Sequence, residues 1–208
     1  MKFLPLVILF CACSVAQAPP PAPLKDDVAT VFVPGFKGSF LADEHRERVW
    51  LNPEAVLTSG DKSLALPFEG VSGDAFGPLH PEGPVTRLRA FVISKDIYLG
   101  FLEFGRASLP GFMSFAYDWR QDIRETAAAL CEAIDQLPAA KVDVVAHSMG
   151  GLVAMHCLAS GNRKIRRVVF AGTPFRGSAL MFHDLLTGSS TGRNSRSEEQ
   201  RLNSSHRH

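Results

Sequence analysis

A chain of 208 residues has room for one domain, since domains run to about 100–200 residues each. Its 22 basic residues nearly balance 21 acidic ones, which argues against a general nucleic-acid binder or a polybasic membrane binder. Hydrophobic residues at 46% and charged residues at 21% are the composition of an ordinary globular domain.

The amino terminus reads as a secretory signal. Lys2 supplies the positive start, and residues 3–13 form an apolar run shorter than the ~20 residues needed to span a membrane. Ser14 and Ala16 are small residues placed for cleavage after Ala16, so residues 1–16 are expected to be removed. The alternative is a lipoprotein signal acylated at Cys13, although Phe10 stands where such signals usually carry Leu. Either way the protein is expected to be secreted or held in the cell envelope. Residues 17–27 then form a stiff, Pro-rich spacer.

Four short apolar runs follow, at 29–33, 111–116, 142–146 and 167–171. Continuous, largely β-branched runs of this length suit strands buried on both faces of a parallel sheet. Between them lie helical patterns. Residues 121–137 repeat apolar side chains at Ile123, Ala127, Leu130, Ile134 and Leu137, and Pro138 stops the pattern. Residues 149–158 continue directly from the third run, and a further helix is expected over 94–104. Alternating strands and helices predict an α/β domain over 28–186, with a mostly parallel sheet and flanking helices. Residues 40–110 are broken by Gly and Pro and read either as a cap or lid, or as an ordinary surface excursion.

Cys11 and Cys13 belong to the signal, leaving Cys131 and Cys157 in helical patterns. Two buried free thiols are the expectation, with a disulfide permitted by export. No Cys/His spacing suggests zinc. Residues 187–208 are rich in Ser, Arg, Asn and Glu, with Leu202 their only large apolar side chain. They read as a disordered, non-native tail, residues 196–201 resembling translated adapter sequence.

The most informative stretch is Ala146, His147, Ser148, Met149, Gly150 and Gly151, between a strand run and a helix run. A nucleophile elbow needs that context, because the chain turns so sharply that only small neighbours fit. Ala146 replaces the first Gly of the usual pattern, and Gly150 supplies the second. Ser148 is therefore the candidate nucleophile at a helix N-terminus, with Met149 N–H as one oxyanion donor. The competing reading is a chance Ser in a Gly-rich turn. His147 reads as a packing or hydrogen-bonding residue, not as the base. The second oxyanion donor is expected from the loop after the first strand, and Phe36 N–H, between Gly35 and Gly38, is the candidate.

Taken together, Pro34, Gly35, Phe36, Lys37, Gly38 and Ser39 after the first strand, the run at 48–51, Tyr117, Asp118, Trp119 and Arg120, the serine motif and residues 172–175 resemble the lecithin:cholesterol acyltransferase family of α/β hydrolases. The resemblance covers about residues 28–178 and implies a partial α/β-hydrolase fold. It implies that Ser148 accepts the acyl group, that Phe36 and Met149 supply oxyanion N–H groups, and that Asp118, Trp119 and Arg120 brace the site as an ion pair and a packed indole. The implied reaction moves an acyl group from a lipid ester to an alcohol or to water, with no metal or organic cofactor, no nucleic acid, and a lipid surface as a peripheral partner. The alternatives are a lipase or phospholipase, and a non-catalytic lipid-binding protein.

Two departures from the family stand out. Residues 40–110 have no cysteine, where secreted animal members carry a disulfide-bounded lid. The family's catalytic Asp and His follow later strands. His183 and Asp184 come too soon after Thr173, and His206 and His208 lie in the tail. No triad acid or base is assigned, so the domain is expected to be truncated before its final strands and this chain to turn over negligibly. The basic cluster Arg163, Lys164, Arg166 and Arg167 reads as the solvated approach to a strand.

Overall fold

The structure, a computed structural model, describes residues 27–51, 64, 79–90, 93–179 and 183. The signal sequence, nearly all of the Pro-rich spacer and the carboxy-terminal tail lie outside the described residues.

Four strands form one parallel sheet: β1 (Val28–Val33), β7 (Met113–Ser114), β8 (Lys141–His147) and β9 (Ile165–Ala171), in the order β7-β1-β8-β9. All four expected runs therefore lie side by side, although residues 111–116 contribute only a two-residue strand. Every residue of β1 is buried, as a central strand covered on both faces requires. Val28 pairs with Lys141 and Val33 with Ala146, so β1 and β8 end together. That shared end carries the loop at 34–39 on one side and Ser148 on the other.

Among the described residues three helices cover the sheet: α1 (Leu99–Ser108), α2 (Ile123–Asp135) and α3 (Met149–Ala159). Alternation along β1 decides what each face sees. Ala29, Val31 and Val33 join Leu130 and Ile134 of α2 and Val153 and Cys157 of α3 in the main core. Phe32 points the other way, onto Leu102 of α1 and Phe112. This division follows from topology. The step from β1 to β7 runs opposite to the steps from β7 to β8 and from β8 to β9, so crossovers of one hand place α1 opposite α2 and α3.

Helix α2 starts where Asp122 accepts a hydrogen bond from Arg124 N–H at 2.7 Å. Its far end is closed by Lys164, whose ammonium donates to the carbonyls of Asp135 and Leu137 at 2.8 and 2.7 Å. Arg166 pairs with Asp143 across the strands at 2.7 Å. Two members of the basic cluster are thus used to tie β9 to its neighbours.

The expectations change in two places. A helix over 94–104 is replaced by strand β6 (Ile93–Asp96), which forms a hairpin with β5 (Arg87–Ala90), and the helix starts only at Leu99. Pairing of Arg87 with Asp96 holds the hairpin closed, an interaction that helical periodicity does not reveal. The described part of the 40–110 region also contains an antiparallel sheet in the order β3-β2-β4, from β2 (Ser39–Ala42), β3 (Arg48–Trp50) and β4 (His80–Pro84). Second, Cys131 and Cys157 form a disulfide, with Cα atoms 5.5 Å apart, instead of two free thiols. Both residues sit on helices that share one face of the sheet, and α2 packs directly on α3 there. Among the described residues no helix is long and apolar enough to cross a membrane.

Candidate active site

Ser148 joins β8 to α3 with φ 51° and ψ −123°, a left-handed conformation that a residue with a Cβ rarely adopts. Its N–H donates to Ala171 carbonyl at 2.8 Å, and its own carbonyl accepts from Gly151 N–H at 2.9 Å. The side chain makes no capping hydrogen bond.

The neighbours explain how so sharp a turn fits. A Cβ on Gly150 would lie 2.3 Å from Pro34 O and 2.5 Å from Val33 O. The first turn of α3 therefore rests on the end of β1. A Cβ on Gly35 would stand 2.9 Å from the Ser148 Cβ, which puts the 34–39 loop in contact with the serine. A Cβ on Gly151 would meet Thr173 Oγ1 at 1.8 Å. Ala146, at the position where the motif usually has Gly, is fully buried.

The 34–39 loop is held by its carbonyls. Tyr117 Oη donates to Pro34 O at 2.9 Å, Gly38 N–H to Gly35 O at 2.9 Å, Trp50 Nε1 to Lys37 O at 3.1 Å, Val85 N–H to Gly38 O at 2.8 Å, and Trp119 Nε1 to Ser39 O at 3.3 Å. Among the described residues Phe36 N–H has no acceptor. Met149 N–H opens α3 and by its position has no intrahelical acceptor either. The loop and the elbow thus each keep one amide hydrogen available next to Ser148's own segment. Phe36 itself is 40% exposed, its ring edge-on to Trp119 at 5.0 Å.

Behind the loop, Asp118 and Arg120 form a two-pronged ion pair, with Nη2–Oδ2 at 2.7 Å and Nε–Oδ1 at 2.9 Å, and side chains only 7% and 3% exposed. Gln121 Nε2 and Leu79 N–H donate to the same carboxylate. Burial pushes the Asp118 pKa up, but the hydrogen bonds from Arg120 and Gln121 outweigh it and leave it below the ordinary carboxylate range. The pair thereby fixes the turn that aims Tyr117 and Trp119 at the loop.

Sequence reasoning missed Tyr98. The chain has two tyrosines, and both hold the start of this loop. Gly35 N–H donates to Tyr98 Oη at 3.0 Å, and Tyr98 Oη lies 2.8 Å from His147 Nδ1. Burial raises the Tyr98 pKa, partly offset by the Gly35 hydrogen bond, and the phenol shares one hydrogen bond with Nδ1. Burial of part of the His147 ring lowers its pKa below the ordinary value. Nothing in the local pattern around residue 98 marks it; only the packing of α1 brings it here. Among the described residues, no histidine hydrogen-bonds the Ser148 hydroxyl, and no group of His, Cys, Asp and Glu is arranged to hold a metal ion. His183 is exposed, while Asp184, His206 and His208 lie outside the described residues.

The family model of lecithin:cholesterol acyltransferase matches residues 96–204. The chain belongs to that family. The match includes Ser148, the Asp118–Arg120 pair and Tyr98, while the 34–39 loop lies ahead of it. The chain is also similar to the uncharacterized protein YJR098C of Saccharomyces cerevisiae, at 27% identity over 158 residues. That alignment covers 73% of this chain and 23% of the yeast protein, so the chain spans less than a quarter of the relative's length. No solved structure matches.

Proposed function

We propose that this family member carries out serine-dependent acyl transfer on lipid esters, with Ser148 as the nucleophile. The observation that carries the reading is the strained Ser148 backbone, seated between Gly35 and Gly150 where no larger residue fits. Strain of this kind costs about 1–3 kcal/mol and persists only where the surroundings enforce it.

In the proposed reaction Ser148 Oγ bonds to the ester carbonyl carbon as its hydroxyl proton leaves to a base. The carbonyl π pair moves to oxygen, and Phe36 and Met149 N–H groups stabilise that oxyanion. Collapse breaks the ester C–O bond, releases the first alcohol and leaves an acyl-serine. A second alcohol, or water, then takes the acyl group. Asp118, Trp119 and Arg120 act by holding the 34–39 loop in place and touch no substrate. No described residue is assigned as base or as its acidic partner, so turnover by the described residues alone is expected to be slow.

The amino-terminal reading adds export, with a mature start at Gln17, and the Cys131–Cys157 bond supports an oxidising compartment. Amino-terminal sequencing of exported protein tests this; a diacylglyceryl group on Cys13 would favour the lipoprotein form.

The chemical test uses a chromogenic or radiolabelled acyl ester. Ser148→Ala is expected to abolish acyl-enzyme formation, read as slow incorporation of label into the protein, while leaving the thermal transition unchanged. Label incorporated equally in the variant would remove Ser148 from the mechanism. Label recovered on an added sterol or other alcohol marks a transferase, and label recovered only as free acid marks a hydrolase.

A further inference from the structure

Tyr98 stands at the start of α1, yet its interactions lead to the active-site loop. Its ring packs edge-on against Phe32 at 5.0 Å and against His147 at 5.6 Å. Its hydroxyl accepts from Gly35 N–H and shares a hydrogen bond with His147 Nδ1. Its backbone N–H donates to Val85 O at 3.3 Å, and Val85 N–H in turn donates to Gly38 O. The same residue is therefore tied to both ends of the loop segment, to Gly35 through its hydroxyl and to Gly38 through Val85. It is also tied to the residue directly before Ser148.

We propose that Tyr98 is a positioning residue that sets the Phe36 amide against Ser148 and holds His147 with its Nδ1 occupied. The proposal rests on the acyl-transfer reading for its kinetic consequence, though not for its structural one. Gly35 immediately precedes Phe36, so the direction of Gly35 N–H constrains the next peptide plane, which carries the oxyanion donor. Whichever of the two donates, the 2.8 Å hydrogen bond engages Nδ1 with Tyr98. An engaged Nδ1 is not free to take a proton from Ser148. The hydroxyl thus has two effects: it aligns a donor, and it keeps an adjacent imidazole nitrogen out of the chemistry.

Tyr98→Phe removes the hydroxyl and keeps the ring that packs on Phe32. Three readouts separate positioning from general stability. In hydrogen exchange, the Gly35 amide is expected to exchange about tenfold faster in the variant, while the amides of β1 keep their protection. In an NMR titration, the His147 pKa is expected to shift, because the ring loses its hydrogen-bond partner at Nδ1. Among the described residues Tyr98 and the Gly35 backbone stand against His147, and burial alone, with no charged neighbour, lowers its pKa. With a fluorophosphonate probe, the rate of Ser148 modification at saturating probe is expected to fall about tenfold, with the half-saturating concentration unchanged.

Unchanged Gly35 exchange together with an unchanged His147 titration would overturn the proposal. So would equal labelling rates at Ser148 in the two proteins. If the unmodified protein shows no Ser148-dependent labelling, the acyl-transfer reading fails, and exchange and titration still decide the role of Tyr98.

Discussion

The loop after β1 and the segment after β9 are both Gly- and Pro-containing turns at the same edge of the sheet, and they are built in opposite ways. At residues 34–39, five carbonyls are engaged, three of them by the side chains of Tyr117, Trp50 and Trp119. Among the described residues the backbone hydrogen bonds within 172–177 are short-range turns, from Phe175 N–H to Thr173 O and from Gly177 N–H to Pro174 O. There Thr173 Oγ1 is buried with no partner among the described residues, and Phe175 is 52% exposed. The strands feeding the two turns differ likewise. β1 is paired on both sides and wholly buried, whereas β9 pairs with β8 alone among the described residues and leaves Val169 58% exposed. A preorganised loop, with five carbonyls engaged and the Phe36 amide without an acceptor among the described residues, is what oxyanion stabilisation asks for. Among the described residues the second turn has none of that bracing.

The sharpest way to break the contrast is to remove what braces the first loop. Arg120→Met leaves Asp118 as an uncompensated buried carboxylate and is expected to cost about 3–5 kcal/mol in urea unfolding. The pair also predicts a pH dependence. The folded-state pKa of Asp118 lies below its unfolded value of about 3.9. Its contribution is therefore present above that value and is lost as the pH falls below it through the folded-state pKa. In Asp118→Asn the loss of stability below about pH 4 is expected to be shallower than in the unmodified protein, read from urea midpoints across pH. A parallel loss in both would remove the pair from the account.

A second break is steric. Gly150→Ala forces a methyl group against Pro34 O and is expected to cost about 1–3 kcal/mol, a typical overpacking penalty. Its effect on acylation should exceed that of an equally destabilising change in α2, because it separates the elbow from the loop.

The mildest test is a matched pair. Val31→Thr buries a hydroxyl in the core and is expected to cost about 1–3 kcal/mol. Val169→Thr, on the exposed face of β9, should stay within about 0.5 kcal/mol. Equal costs would mean that β9 is covered as β1 is.

Much of this arrangement was legible in the residues themselves. Continuous apolar runs made all four members of the parallel sheet visible, although only β1 is buried throughout, and α2 showed through its repeat and its Pro stop. Ser148 was visible because a strand, a small-residue turn and a helix met at one serine. Contacts between distant segments were not. Tyr98 reaches Gly35 only because α1 packs on the face of the sheet opposite α2, and the thiols of Cys131 and Cys157 meet only because α2 and α3 share the other face. The hairpin at 87–96 was not legible because its four-residue antiparallel register joins two short strands, a pairing to which helical periodicity is blind.

The central claim is that the elbow presents Ser148 as the reactive nucleophile, and mapping of a fluorophosphonate adduct by peptide mass spectrometry tests it most directly. On prolonged incubation of the folded protein, the account predicts a single adduct on Ser148, absent from Ser148→Ala and formed more slowly in Gly150→Ala. An adduct at another residue that persists in Ser148→Ala, or a folded protein that stays unlabelled, would contradict it.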